Sequence, residues 1–183
     1  MAKKRCRWAD TNALFIPYHD QEWGTPTHDD RLLFEMLNLE GAQAGLSWLI
    51  ILRKRQGYKK AFDNFNAKKI IKYDSKKRAA LLKNDQIVRH KLKINAVIEN
   101  AKAFLAIKKE FGSFDKYIWS FVNRKPILTP KLQEAIPECV ALSKDLKKRG
   151  FRFVGQTTCY AFMQAVGLVN DHAPYCFRSA KKR

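Results

Sequence analysis

Apolar residues in this chain return every three or four positions, and no segment alternates. Ile94, Val97, Ile98, Ala101, Phe104 and Leu105 predict one long amphipathic helix. Leu32, Leu33, Met36 and Leu37 form a second stripe. A third segment starts at Ser47, where Leu49, Ile50 and Leu52 can bury ahead of Arg53-Lys54-Arg55. Phe114, Ile118, Trp119, Phe121 and Val122 suggest another helix. Leu142 and Leu146 sit in a helix that ends at Gly150, a C-cap. Thr157 or Thr158 caps or begins a last helix through Phe162, Met163 and Val166 to Gly167. Pro126, Pro130 and Pro137 break up a loop-rich stretch. A half-buried strand needs alternation, which is missing here, so the expected fold class is all-α.

The 183 residues suit one domain spanning 1–183, with no repeat, low-complexity block or flexible linker to divide it. The apolar stretch Leu49 to Leu52 is far too short for a membrane span. No apolar segment follows Lys3-Lys4-Arg5, so no secretory leader is expected. A cytoplasmic protein follows, whose four cysteines read as thiols or metal ligands rather than disulfides. Lys and Arg number 36 against 17 Asp and Glu, a formal +19 spread along the chain. Such a surface attracts a polyanion, by default nucleic acid; the bland alternative is charge that only maintains solubility. The end clusters Lys3–Arg5 and Lys181–Arg183 read as basic arms rather than targeting signals.

Three constellations could carry chemistry. Cys6 and His19 near the start are answered by His172 and Cys176 near the end. His28 and His90 have charged neighbours and read as surface residues, and Cys159 reads as a buried thiol. Spacing alone leaves open a shared zinc or four unrelated residues. A four-ligand zinc would be structural, fastening residues 1–25 to residues 168–183. The second constellation is the basic junction Lys147 to Thr158, with Gly155 at its apex. Free N–H groups of the following helix suit a phosphate oxygen. The plain alternative is an ordinary hairpin in which Gly155 supplies a positive φ. The third is Glu40 to Trp48 joined by Pro17 to Gly24. Glu40 among Trp8, Tyr18, Trp23 and Trp48 points to a pocket for a flat, electron-poor ligand, with Gln43 and Leu46 exposed on a glycine-rich loop. Core packing of the rings and, for Glu40, a helix N-cap or a surface carboxylate remain the alternative.

Several segments together resemble the bacterial DNA-3-methyladenine glycosylase I family. They are Cys6-Arg7-Trp8, Tyr18 to Gly24, Leu33-Phe34-Glu35-Met36, Glu40 to Trp48, Trp119 to Asn123, Leu146 to Gly155, Phe162 to Ala165 and Gly167 to His172. The resemblance implies a helix–hairpin–helix DNA glycosylase fold, with the hairpin within 145–166. It implies a structural zinc on Cys6, His19, His172 and Cys176. It also implies a base pocket on catalytic Glu40 with Trp8, Phe15, Tyr18, Trp23 and Trp48. Gln43, Gly45 and Leu46 would fill the gap left by a flipped nucleotide, and Arg152, Gly155 and Thr157 would meet the DNA backbone. The family commonly has tyrosine where this chain has Phe15, so any hydroxyl contact there is gone. Gln156, Thr157 and Thr158 supply no lysine at the start of the post-hairpin helix. The expected enzyme is therefore monofunctional: it excises 3-methyladenine hydrolytically from double-stranded alkylated DNA and leaves an abasic site. Asp171, beside His172, reads as a carboxylate that orients the zinc shell, with action on the sugar as the open alternative. The implied protein is a monomer that works in the cytoplasm on the nucleoid. A zinc-stapled DNA-binding module without activity, or a glycosylase for oxidised bases, are the competing classes.

Overall fold

The computed structural model describes residues 3–128 and 136–179. Pro130 and the Lys181–Arg183 cluster lie outside them. The chain opens with a 3-10 turn at Arg7–Thr11, α1 (Phe15–Pro17) and a π-turn at Tyr18–Glu22. There follow α2 (Asp30–Gln43), α3 (Trp48–Ala61), a 3-10 turn at Asp63–Phe65, α4 (Ala67–Ile70), α5 (Ser75–Lys83), α6 (Lys91–Phe111) and α7 (Phe114–Ser120). The strand β1 (Ile127–Leu128), α8 (Pro137–Lys148), α9 (Gln156–Ala165) and the strand β2 (Val169–Asn170) complete the order. β1 and β2 pair in parallel, Ile127 with Val169 and Leu128 with Asn170. This ladder corrects the strictly all-α expectation to a predominantly helical one. Two residues per strand are too few to set up an alternating pattern.

Side-chain caps start several helices. Asp29 accepts from Leu32 N at 2.7 Å, Asp74 from Lys77 N at 2.7 Å and Ser113 from Lys116 N at 3.0 Å. Each satisfies a first-turn donor that has no partner within its own helix.

α2 is the axis of the molecule, packed against α3, α6, α7 and α9. Every residue from Leu33 to Ala42 is buried, so the expected stripe is in fact a helix enclosed on all sides. Two of its polar side chains are satisfied there: Arg55 Nε donates to Glu35 at 2.7 Å, and Asn38 Nδ2 donates to the Phe34 carbonyl at 2.8 Å. In α3 the buried side chains are Ile51, Tyr58 and Ala61. Ile50, expected inside, is 36% exposed, and Leu49 and Leu52 are half-buried. Helical spacing puts Ile51 on the face of Tyr58 and turns its neighbour outward.

The α8–α9 junction is a tight hairpin. Phe151 N donates to Leu146 O and Gly150 N to Lys147 O, each at 3.0 Å, and Gly150 has φ +92. These are the paired bonds of a Schellman ending, as the C-cap reading expects. Gly155 departs from expectation: its φ is −63, and the left-handed residue near the apex is Phe153 at φ +55. Gly155 is the N-cap of α9 with no side-chain bond, and Thr157 lies inside the helix rather than capping it.

Candidate active site

The π-turn fixes the first wall of the site. Trp23 N reaches back five residues to the Tyr18 carbonyl at 2.9 Å, a wider turn than an α-helix makes. Tyr18 and His19, adjacent in sequence, thereby serve two different sites. Tyr18 enters a cavity of about 640 Å³ that Trp8, Phe15, Trp23, Glu40, Gln43 and Trp48 also line. Its ring centroid is 5.4 Å from that of Trp48 with the planes at 48°, and 6.3 Å from Trp8. Trp8 meets Phe15 and Trp23 edge-on, at 5.7 and 5.1 Å. The Trp48 Nε1 donor is buried without a partner among the described residues.

Glu40 is 5% exposed, and no described residue bonds or pairs with its carboxyl. Burial alone pushes its acid up to about 8. A carboxylate in that position, facing open space with no cation beside it, is suited to a positive ligand. The glycine-rich stretch Glu40 to Trp48 is not a loop from its first residue. Glu40 to Gln43 are instead the last turn of α2, and the turn proper is Ala44 to Ser47. In that turn Gly45 has φ +75, Leu46 N bonds Gln43 O at 2.6 Å, and the Leu46 side chain is 37% exposed.

Asp171 also needs correcting. It lines this same cavity. Its Oδ2 accepts from the Tyr160 hydroxyl and from Gln164 Nε2, the latter at 2.9 Å, while Oδ1 is buried without a partner among the described residues. The residue that orients His172 is Asn170, whose Oδ1 lies 2.9 Å from His172 Nδ1. Asp171 follows directly on β2, outside the ladder, and its carboxyl is taken by Tyr160 and Gln164 of α9 rather than by His172.

His19 belongs to a cluster behind the cavity. Ligand atoms of Cys6, His19 and Cys176 lie within 4.8 Å of one another, all three residues buried. Cys176 Sγ is 3.4 Å from His19 Nε2, close to the roughly 3.5 Å between donors that share a zinc with bonds of about 2.0–2.3 Å. His172 stands beside them, its ring centroid 5.0 Å from that of His19. Its Nε2 is buried with no partner among the described residues, and burial lowers its pKa to about 3, so the ring is neutral as a ligand must be. Asp20 holds His19 Nδ1 at 2.8 Å and is itself bound by Arg5. Two thiols and one imidazole thus come together, with the His172 ring beside them but outside that 4.8 Å set; these are the donor types a zinc-type ion takes. Gly24 makes the packing possible: a Cβ there would come 2.5 Å from the His172 ring.

The residues expected at the DNA are arranged around the same end of α2. Arg152 and Thr157 are exposed and Gly155 is half-buried. A Cβ on Gly41 would lie 3.1 Å from Phe153 Cβ, so the hairpin packs on the very turn that carries Glu40. Sequence reasoning missed Asn170, Gln164 and the cavity position of Asp171. Only the adjacency of Asn170 to His172 offered a signal.

Fold and site together define a helical, strongly basic protein with an aromatic pocket around an uncompensated carboxyl. The family model described as methyladenine glycosylase matches residues 8–179. The chain belongs to this methyladenine glycosylase family, whose members are glycosidase enzymes. A relative from Haemophilus influenzae named DNA-3-methyladenine glycosylase is 49% identical over 177 residues, 94% of this chain and 96% of that one. A crystal structure of 3-methyladenine DNA glycosylase I is 48% identical with a TM-score of 0.93, covering 96% of this chain and all of that one. A tyrosine-to-phenylalanine variant of 3-methyladenine DNA glycosylase I, solved in complex with 3-methyladenine, is 34% identical with a TM-score of 0.92 over 96% of this chain and 97% of its own.

Proposed function

We propose that this protein flips 3-methyladenine out of double-stranded DNA and cleaves its glycosidic bond with water, leaving an abasic site. The observation that carries the reading is Glu40: a buried carboxyl without a cation, walled by Trp8, Tyr18 and Trp48. A relative of like fold holding 3-methyladenine supports the ligand class.

Methylation at N3 makes adenine cationic while it is still attached to deoxyribose. Extraction from the stack costs a few kcal/mol, less for a damaged base. Stacking on Tyr18 and Trp48 returns about 1–3 kcal/mol per base, with a cation–π contribution for a charged purine. Phe15 adds an apolar ring without a hydroxyl. Ionised Glu40 favours the positive base and accepts from its edge, a gain that neutral adenine does not offer. The C1′–N9 bond then breaks, its electron pair neutralises the purine, and water oxygen bonds C1′ and gives up a proton to solvent. A purine already charged is a sufficient leaving group without a strong general acid.

Gln43, Gly45 and Leu46 fill the gap in the duplex. The α8–α9 junction acts as a helix–hairpin–helix element, offering Arg152, Gly155 and Thr157 to phosphates. Cys6, His19, His172 and Cys176 hold a structural zinc that ties the terminal segments and supplies no chemistry to the base. The protein acts as a monomer. No described helix is long and apolar enough to cross a membrane.

The test is incubation with methylated DNA and chromatography of the released bases. Release of 3-methyladenine without undamaged purines is expected, and borohydride should trap no protein–DNA adduct. A trapped adduct, or no base released, refutes the reading.

A further inference from the structure

The turn assigned to the duplex gap is held from outside itself. The carbonyls of Ala42 and Ala44, at the C-terminal end of α2, belong to the group that a helix end leaves without internal partners. The Lys93 ammonium, in the first turn of α6, donates to both, at 2.8 and 2.6 Å. Asn100, further along α6, holds the hairpin in the same manner. Its side-chain carbonyl accepts from Arg152 N at 2.7 Å, and its amide donates to Arg152 O at 3.3 Å and to Asn38 Oδ1 at 2.9 Å. Residues seven apart share a helix face, about 10.5 Å along the axis. One face of α6 therefore grips the backbone of both segments given to DNA. Neither Lys93 nor Asn100 lines the cavity.

We propose that α6 is a ruler: Lys93 and Asn100 are positioning residues that fix the Gln43–Leu46 turn and the hairpin at one separation, so that both engage a duplex together. The inference rests on the wedge-and-hairpin reading above. A side chain that only capped α2 would add stability and nothing else. A ruler matters to the step that opens a duplex and is indifferent to a base already unstacked.

Lys93→Met keeps the aliphatic stem and removes the donors; Lys93→Arg restores two of them. Each is compared with wild type for 3-methyladenine release from methylated duplex and from methylated single strands of the same sequence, together with thermal unfolding. For Lys93→Met, kcat on duplex should fall about tenfold or more, since small misplacements of reacting groups cost that much. Release from single strands should stay within about twofold, and Lys93→Arg should recover part of the duplex rate. A duplex rate for Lys93→Met within about twofold of wild type overturns the ruler. So does an equal loss on both substrates, which would mean general damage. If wild type releases nothing from either DNA, the enzymatic reading fails and the ruler falls with it, an outcome distinct from a wild type that works beside an unaffected variant.

Discussion

Replacing Glu40 by Gln keeps the shape of the side chain, removes its acid and should make the protein more stable at neutral pH. Burial raises this acid from 4.5 to about 8 in the folded chain. The folded state thus holds the proton more tightly than the unfolded state does. A group of this kind contributes its full stability below the unfolded value, and that contribution is lost as pH rises through the folded value. At pH 7 the unfolded carboxyl has ionised while the folded one is still mostly protonated, a cost of about 3 kcal/mol at about 1.4 per pH unit. Glutamine carries no such cost. For a chain of this length about 3 kcal/mol corresponds to a rise in Tm of roughly 6–12 °C. Thermal unfolding from pH 4 to 8 is the assay. The two proteins should melt together at pH 4 and separate as pH rises, with Glu40→Gln the more stable. Release of 3-methyladenine from methylated DNA should meanwhile fall at least about tenfold, because the ionic contact with the base is gone. A Tm difference that does not change with pH would refute the burial argument, and base release at the wild-type rate would remove Glu40 from the chemistry.

Trp48→Ala should weaken binding of free 3-methyladenine by the loss of one stacking face, about 1–3 kcal/mol, read from quenching of the remaining tryptophans; an unchanged Kd would take Trp48 out of the pocket wall. Gly24→Ala should lower both zinc content and Tm, since its Cβ would sit 2.5 Å from the His172 ring at φ +72. Gly45→Ala is the control, with φ +75 but nothing within 4 Å, and should retain its metal by elemental analysis; equal zinc in both variants would contradict the ligand assignment.

The helices were legible where the apolar period is long. Ile94 to Phe104 repeats over several turns, and α6 follows it. α2 was half legible: a stripe of Leu and Met was visible, but enclosure on every side depends on α3, α6, α7 and α9 arriving together. Ile50 and Ile51 are chemically alike and adjacent, so only a face shared with Tyr58 distinguishes them. The hairpin glycines illustrate another limit. Gly150 takes the left-handed conformation expected of glycine, yet near the apex Phe153 takes it and Gly155 does not. That choice follows from Asn100 and Ser143 bonding the hairpin backbone, long-range contacts with no local trace in the sequence. The cavity rings and Glu40 were visible as residue types, but only the fold distinguishes a carboxyl facing a pocket from one facing solvent. Asp171 makes the point in reverse: its neighbour His172 suggested a place in the metal shell, and bonds from Tyr160 and Gln164 of α9 hold it at the cavity instead.

In the proposed reaction the basic surface and the acidic pocket would act on different parts of one substrate. A +19 chain repels a free cation at long range, yet the cationic base arrives attached to a polyanion whose phosphates more than offset its charge. Selection would then fall to the short-range contact. A positive purine would draw Glu40 into its ionised form, whereas adenine, offering no charge to offset that burial, would leave the acid protonated. In the proposed reaction bond cleavage would reverse this state, because the electron pair from C1′–N9 cancels the charge on the purine. Glu40 would lose its ionic partner at that moment and take up a proton again. On that proposal the same burial that destabilises the empty fold would weaken the grip on the product, so recognition and release would depend on a single carboxyl.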